Sequence, residues 1–511
     1  MRQLSEHDAA FIYSDTGHAN SNVTLLHIYD QSTAPGGVVR FKQILAQFES
    51  RMHRLPNFRE KILRVPLDLD YPYWIEDEHF NLEYHVRHIA LPKPGDWRQF
   101  CILSSRIHAR PLDLNRPLWE MYVIEGLDSF VGLPVGSFAV LLKVHHAAMD
   151  IAHGNEITAL LHDLSPTSPP PAPAAPWFPE SAPGNLILLG RAGINFATFP
   201  LRMAQMVSSH WTALKSTVDT FVGEFMGRAH PFPMTRFNTE VSSQRVFDMR
   251  RFVLADFKAI RTLAPKATVN DVVLAVCAGG LRRYLAVQHE LPDESMVAAA
   301  PIAVHTGADT DNRANFSWAR ITLGTHIADP IKRLIAIQTA SSSSSAMEQA
   351  ISVRELTELA QNAPSVAITA TSRMLRSASA LMGNWVPLAN CAITNVPGSR
   401  VPLYLQGARL THVSAIMPIS DGMGLVFSVT GYNDTIVISF TACAEQVPDP
   451  EVLAHCLRDS YQEYLALVSP QVEQKPVLVA KKTPRARRKP KAVPLTLVAY
   501  PTALVQPSEQ P

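Results

Sequence analysis

Phe138-Ala-Val-Leu-Leu-Lys-Val-His-His-Ala-Ala-Met-Asp150 is the stretch from which the fold is read. Gly136 bounds it, and the apolar run that follows has the length and composition of a strand buried on both faces. The strand delivers His145 and His146 to its end, with Asp150 four residues after the second histidine. Successive strand side chains point to opposite faces. Only one imidazole can therefore face a given cavity, and the other points into the surrounding structure. An unperturbed imidazole, with a pKa of about 6.5, already suits proton transfer near neutrality. His145, His146, Asp150 and His153 also cluster in sequence as metal ligands would. Adjacent strand histidines diverge, however, and cannot easily chelate one ion, so no metal is expected.

Outward from this strand, Leu118 to Glu125 is a second strand. A loop containing Gly and Pro joins the two, which predicts a hairpin. Upstream, residues 5 to 13 read as a helix with Ser5 as its N-cap, and Asn22 to Tyr29 as a strand. Phe41 to Arg54 has helical spacing and stops at Pro56, and Phe100 to His108 is another helix. Downstream, Ile157 to Leu164 continues as a helix after the histidine loop. Residues 165–184 (SPTSPPPAPAAPWFPESAPG) change the regime, because proline fixes φ and removes donors. They read as an extended linker. Leu186 to Phe225 has helical propensity, with Arg191, Arg202, His210 and Lys215 interrupting its apolar character. It fits helices packed on the core, or a helix lying on a membrane surface.

The second half begins near Arg245. Val269 to Leu285 is an amphipathic helix, Val297 to Val304 a buried strand, and Ile331 to Leu381 largely helical. From Cys391 the apolar period becomes two. Thr411 to Ile416, Leu425 to Thr430 and Thr435 to Thr441 are strands, the last two joined through Gly431-Tyr432-Asn433-Asp434. Pro450 to Val468 closes the chain as a helix. Beyond about residue 470 order is expected to end: over residues 473–491 eight basic residues, Lys475 to Lys491, lie among prolines with one acid, Glu473, which predicts a disordered tail. Such a tail is a solvated extension, or an electrostatic tether to anionic lipid.

A chain of 511 residues with 47% apolar and 18% charged residues has material for more than one domain. A net charge of +1 gives no reason to expect nucleic acid. Cys101, Cys277, Cys391, Cys443 and Cys456 are odd in number and widely spread, which points to a reducing cytoplasm rather than a disulfide framework. The early Glu6, His7 and Asp8 are unlike a signal peptide, and no segment offers the ~18 uninterrupted apolar residues of a membrane span. The expectation is a cytoplasmic protein, either soluble or peripheral on the inner face of the membrane or on lipid inclusions.

The histidine pair and Asp150 resemble the HHxxxDG signature of CoA-dependent acyltransferases. Within that superfamily the chain is similar to bacterial wax ester synthase/acyl-CoA:diacylglycerol acyltransferases. Leu4-Ser5-Glu6-His7-Asp8-Ala9-Ala10-Phe11 is similar to that family's opening, Pro117-Leu118-Trp119 to its PLW element, Asn270-Asp271 to its ND element, and Asn395-Val396-Pro397-Gly398 to its NVPG element. These span roughly residues 1 to 465 in the family's order. Ile151 stands where the family has glycine. If that glycine takes positive φ, isoleucine there costs about 1–2 kcal/mol, unless Gly154 takes up the turn.

The resemblance implies an α/β (α+β) fold of two chloramphenicol-acetyltransferase-like lobes, with mixed sheets and flanking helices. The first lobe would be residues 1–164, the linker and connecting helices 165–244, the second lobe 245–470 and the tail 471–511. It implies His146 as general base, His145 turned inwards to shape the loop, and Asp150 as the group orienting loop or imidazole. Asn270, Asp271, Thr394 and Asn395 would be substrate-binding or oxyanion groups. For Asn270 and Asp271 an N-terminal cap is an equal reading, because Thr268 and Asp271 approximate a capping box, and turn chemistry alone would explain Asn395. The implied reaction carries a fatty acyl group from acyl-CoA to a long-chain alcohol or diacylglycerol, with no cofactor and no covalent acyl-enzyme. A carrier-protein-dependent condensation-type acyltransferase and a non-catalytic lipid-binding protein are the alternatives.

Overall fold

The computed structural model describes residues 1–149, 154–167, 177–195, 197, 232–304, 315–343, 389–396 and 398–468. The first part of the chain supplies β1 (Arg2–Gln3), α1 (Glu6–Ser14), β2 (Asn22–Asp30), α2 (Phe41–Arg51), β3 (Glu60–Leu63), β4 (Tyr73–Glu76), α3 (Leu82–His85), β5 (Val86–Ala90), α4 (Trp97–Ala109), β6 (Trp119–Glu125), β7 (Phe138–His145) and α5 (Gly154–Leu161). The later part supplies β8 (Arg245–Val253), α6 (Leu254–Ile260), α7 (Val269–Val287), β9 (Val297–Val304), β10 (Asn315–Thr322), α8 (Pro330–Ser341), β11 (Cys391–Val396), β12 (Tyr404–Leu405), β13 (Ala408–Ile416), β14 (Leu425–Tyr432), β15 (Thr435–Cys443) and α9 (Pro450–Val468). The helix starts obey local chemistry. Ser5 Oγ accepts from the Asp8 N–H at α1, while Asp96 with Gln99 and Thr268 with Asp271 close capping boxes at α4 and α7.

All eight residues of β7 are buried, as the unbroken apolar run requires. The strand lies third from one end of a six-stranded mixed sheet, in the order β5-β6-β7-β2-β13-β12. It is antiparallel to both β2 and β6. On one face Val140, Leu142 and Val144 pack with Ile12, Phe48, Trp119 and Leu160. On the other, Ala139 and Leu141 join Phe100 and Ile107 of α4, and Phe247 and Met249 of β8. This second cluster fastens the two lobes together, so both sides of β7 are removed from water. Burying a side chain of this size stabilises by roughly 1.5–3 kcal/mol.

The second lobe is a six-stranded mixed sheet, β10-β9-β11-β14-β15-β8, with α7 and α9 crossing closely over it. A Cβ on Gly280 of α7 would sit 2.7 Å from Leu457 Cδ2 and 3.1 Å from Leu457 Cα, so only glycine allows α9 this close. The sequence offers no clear strand pattern for β8, where Arg245, Asp248, Arg250 and Arg251 obscure the alternation, or for β10, where one charge, Arg320, interrupts it.

Residues 404–416 lie within the stretch that sequence assigns to the second lobe, yet they pair into the first lobe's sheet. β13 runs antiparallel to β2 from Arg409↔Asp30 to Ile416↔Thr24, with a bulge between Leu410 and His412. A period of two identifies a strand but not its partner. The pairing also removes an edge that β2 would otherwise expose. Met1–Ser469 accordingly forms one compact unit.

The described part of the Pro-rich stretch contains no helix or interior strand, as its prolines dictate. From Trp177 onward it is held on the first lobe. Trp177 Nε1 donates to Glu76 Oε1 (3.2 Å), and the Arg59 guanidinium lies 4.9 Å from the indole centroid. Residues 185–195 are helical, and Leu188 and Ala192 pack on Val65 and Tyr73. The rest of the helical expectation over 186–225, much of that over 331–381, and the basic tail lie outside the described residues.

Candidate active site

β7 ends where α1 ends, and the two meet through the histidine pair. His145, 1% exposed, points away from the face that carries Val144. Its Nε2 lies 3.0 Å from Asp15 Oδ2, and its Nδ1 accepts the Ala147 N–H at 3.1 Å. A nitrogen that accepts cannot carry the proton, so these partners assign the neutral Nε2–H tautomer, with Nε2–H donating to the carboxylate. His146 turns to the opposite side, as strand alternation requires. Its ring stacks on Phe11 of α1 with centroids 4.0 Å apart and planes 23° from parallel. It is partly exposed to solvent.

The backbone around the pair is closed as tightly. The Ser21 N–H donates to Asp15 Oδ1 (2.8 Å), and the His146 N–H donates to the Ser21 carbonyl (2.8 Å). The His145 N–H donates to the Leu118 carbonyl (3.0 Å), next to Trp119. Trp119 is fully buried. Its Nε1–H donates to the Phe58 carbonyl, and its ring stacks on Phe58 and His85. The PLW tryptophan is therefore core.

Two residues before His145 on the same face, Lys143 is fully buried. Its ammonium donates to the Ile107 carbonyl (3.1 Å) and to the Arg110 carbonyl. Asn22 Nδ2 donates to that same Arg110 carbonyl (3.3 Å), and Asn20 Nδ2 to Ala109 (3.1 Å). Together these groups satisfy the carbonyl end of α4. Burial pulls the lysine's pKa down to about 8. Beside it, burial first and then the Lys143 and Arg245 charges lower His108 to about 3.

Asp271 lies in the first turn of α7 with both oxygens occupied. One accepts from the Thr268 N–H (2.7 Å) and hydroxyl (2.8 Å), and the other from the Ser341 hydroxyl (2.6 Å). Asn270 beside it is partly buried. Thr394 and Asn395 occupy β11, opposite Ser428 and Val429, with Asn395 exposed. The structure thus gathers His145 and His146 with Asp15, Phe11 and Ser21, while the hydrogen bonds of Asp271 stay in the second lobe. Asp150, Ile151 and His153 lie outside the described residues. Among the described residues no group of three His, Cys, Asp or Glu could hold a metal ion.

Phe11 ends the opening element that resembles the family, but Asp15 and Ser21 carry no signal in the sequence that links them to the histidines. Asp15 stands 130 positions from His145. A carboxylate just past the first helix is the one local hint.

Comparison with known proteins follows the same lines. The model of the wax ester synthase/diacylglycerol acyltransferase catalytic domain matches residues 4–273, and that of the WS/DGAT C-terminal domain matches residues 314–464. A Mycobacterium tuberculosis protein provisionally named a diacylglycerol O-acyltransferase is 31% identical over 475 residues, 93% of this chain and 92% of its own length. The O-acyltransferase WSD of Acinetobacter baylyi is 30% identical over 411 residues, 79% of this chain and 85% of its own. The solved wax ester synthase/diacylglycerol acyltransferase of Marinobacter aquaeolei superposes with a TM-score of 0.65 at 24% identity. That match covers 92% of this chain and 100% of the other, and it speaks to the fold.

Proposed function

The chain belongs to the wax ester synthase/diacylglycerol acyltransferase family, and from that premise we propose that His146 is the general base of an acyl-CoA-dependent O-acyltransferase. The acceptor is a long-chain alcohol or diacylglycerol. His146 takes the proton of the acceptor hydroxyl while its oxygen attacks the thioester carbonyl. The tetrahedral intermediate collapses, the C–S bond breaks, and the imidazolium returns the proton to the CoA thiolate. Ester and free CoA leave. No cofactor enters this scheme. A positioned base contributes about 10²–10⁴-fold in such a step.

The observation that carries the reading is the contrast within the pair. His145 is 1% exposed and hydrogen-bonded to Asp15 and Ala147, whereas His146, stacked on Phe11, is the member of the pair that is partly open to solvent. Direct transfer is supported by the cysteines too. All five are buried, and burial pushes the Cys101, Cys277, Cys391 and Cys456 thiols up, away from the thiolate a covalent route would use.

The reading extends to a peripheral station on a membrane or lipid inclusion. No helix among the described residues is long and apolar enough to cross a membrane. Phe178 and Leu186, each 85% exposed, and Ile194, 65% exposed, support attachment through the segment docked on the first lobe. Vesicle flotation of the full chain tests this point.

The activity is tested by CoA release from palmitoyl-CoA with hexadecanol or dioleoylglycerol, run beside acyl-carrier protein as donor. Release that depends on either acceptor is the expected result. Lipid binding without release, or turnover from the carrier protein alone, would overturn the assignment.

A further inference from the structure

We infer that Asp15 is the positioning residue of the histidine pair: its carboxylate fixes the tautomer of His145 and the backbone of His146 at once. The inference rests on His146 being the base, as proposed above. The case is a closed hydrogen-bond circuit. Asp15 Oδ2 receives His145 Nε2–H at 3.0 Å, and His145 Nδ1 receives the Ala147 N–H at 3.1 Å. The His146 N–H reaches the Ser21 carbonyl at 2.8 Å, and the Ser21 N–H returns to Asp15 Oδ1 at 2.8 Å.

Each carboxylate oxygen therefore takes one donor, and each of those donors bears on the turn that presents His146. The helix that ends in Asp15 also supplies, one turn earlier, the Phe11 ring that stacks on His146. One helix end thus holds both imidazoles, although they leave the strand in opposite directions. Family resemblance gives the orienting role to Asp150. The described geometry gives a carboxylate partner to His145 from the other end of the lobe.

An amide of the same shape cannot do this work. In Asp15→Asn one of the two positions becomes an NH2 group facing an N–H donor. Facing Ser21 it breaks the turn. Facing His145 it demands an acceptor at Nε2, which drives the proton to Nδ1 and against the Ala147 N–H. Misplacing a base by about 1 Å costs on the order of 100-fold in rate.

The test uses full-length protein with Asp15→Asn, Asp15→Glu and His146→Ala in parallel. It measures kcat and KM for palmitoyl-CoA, and the ring tautomer of His145 by ¹⁵N-histidine NMR, assigned by loss of the signal in His145→Gln. The expected results are a wild-type His145 in the Nε2–H form and a kcat about 10- to 100-fold lower in Asp15→Asn with KM within about threefold. The tautomer shifts or averages in that variant, and Asp15→Glu recovers part of the loss. A wild-type Nδ1–H or doubly protonated ring would overturn the inference, even if Asp15→Asn fails to fold. So would an Asp15→Asn enzyme with kcat within about twofold of wild type. Normal turnover in His146→Ala would instead refute the assignment of the base, leaving the tautomer readout to decide the role of Asp15 by itself.

Discussion

Mild acid should destabilise this protein through histidines that have nothing to do with its chemistry, and His108 is the one to perturb. Its Nδ1 accepts the Thr24 hydroxyl at 2.9 Å, and its other nitrogen bonds to the Met417 backbone, so the neutral ring is satisfied on both sides. A second proton at Nδ1 would force the Thr24 hydroxyl to turn from donor to acceptor and would add a buried cation beside Lys143 and Arg245. Burial, followed by those two charges, lowers its pKa from 6.5 to about 3. Because the folded value is depressed below the unfolded one, the unfolded chain binds the proton first. The stability is intact above about pH 6.5 and drains away as pH falls towards 3.

Between pH 7.5 and 5.0 the loss from this ring is about 2 kcal/mol, at 1.36 kcal/mol per unit. His162 behaves alike. Its Nε2 accepts from the Tyr29 hydroxyl at 2.7 Å, its Nδ1 donates to the Thr158 carbonyl at 2.9 Å, and burial lowers it to about 4. Together the two remove about 4 kcal/mol of a total stability on the order of 5–15 kcal/mol. The assay is urea unfolding of wild type and His108→Asn at both pH values. Asparagine preserves an acceptor for Thr24, so the stability difference between the two pH values should shrink by about 2 kcal/mol. An unchanged difference would refute the argument.

Two substitutions test the second lobe. Gly280→Ala gains helix propensity but drives a Cβ into Leu457, so the thermal midpoint should fall by the equivalent of about 1–3 kcal/mol; a rise would show that α7 and α9 are not tightly packed there. Asp271→Ala removes a cap and should cost about 1–2 kcal/mol while leaving kcat within about threefold. A collapse of kcat at full stability would mean that Asp271 touches the reaction.

What could be read from sequence was local. β7 was legible because apolar residues on both of its faces leave few other structures open, and period two alone sends His145 and His146 apart. The α7 capping box was legible because Thr268 and Asp271 are three residues apart. Apart from strands such as β8, whose charged residues hide its alternation, the illegible parts are long-range. Asp15 reaches His145 from the end of the first helix, β13 crosses from the second half of the chain to pair with β2, and Trp177 folds a proline-rich stretch back onto Glu76. In each case the local pattern fixes the element, while packing and hydrogen-bond demand elsewhere choose its partner. The proline run announces an extended chain but not the glutamate that receives its indole.

The most direct trial of the whole account is turnover of His146→Ala with palmitoyl-CoA and its best acceptor. CoA release should drop by about 10²–10⁴-fold while the thermal midpoint stays at the wild-type value. A well-folded variant that still releases CoA at close to the wild-type rate would take the proton transfer away from His146.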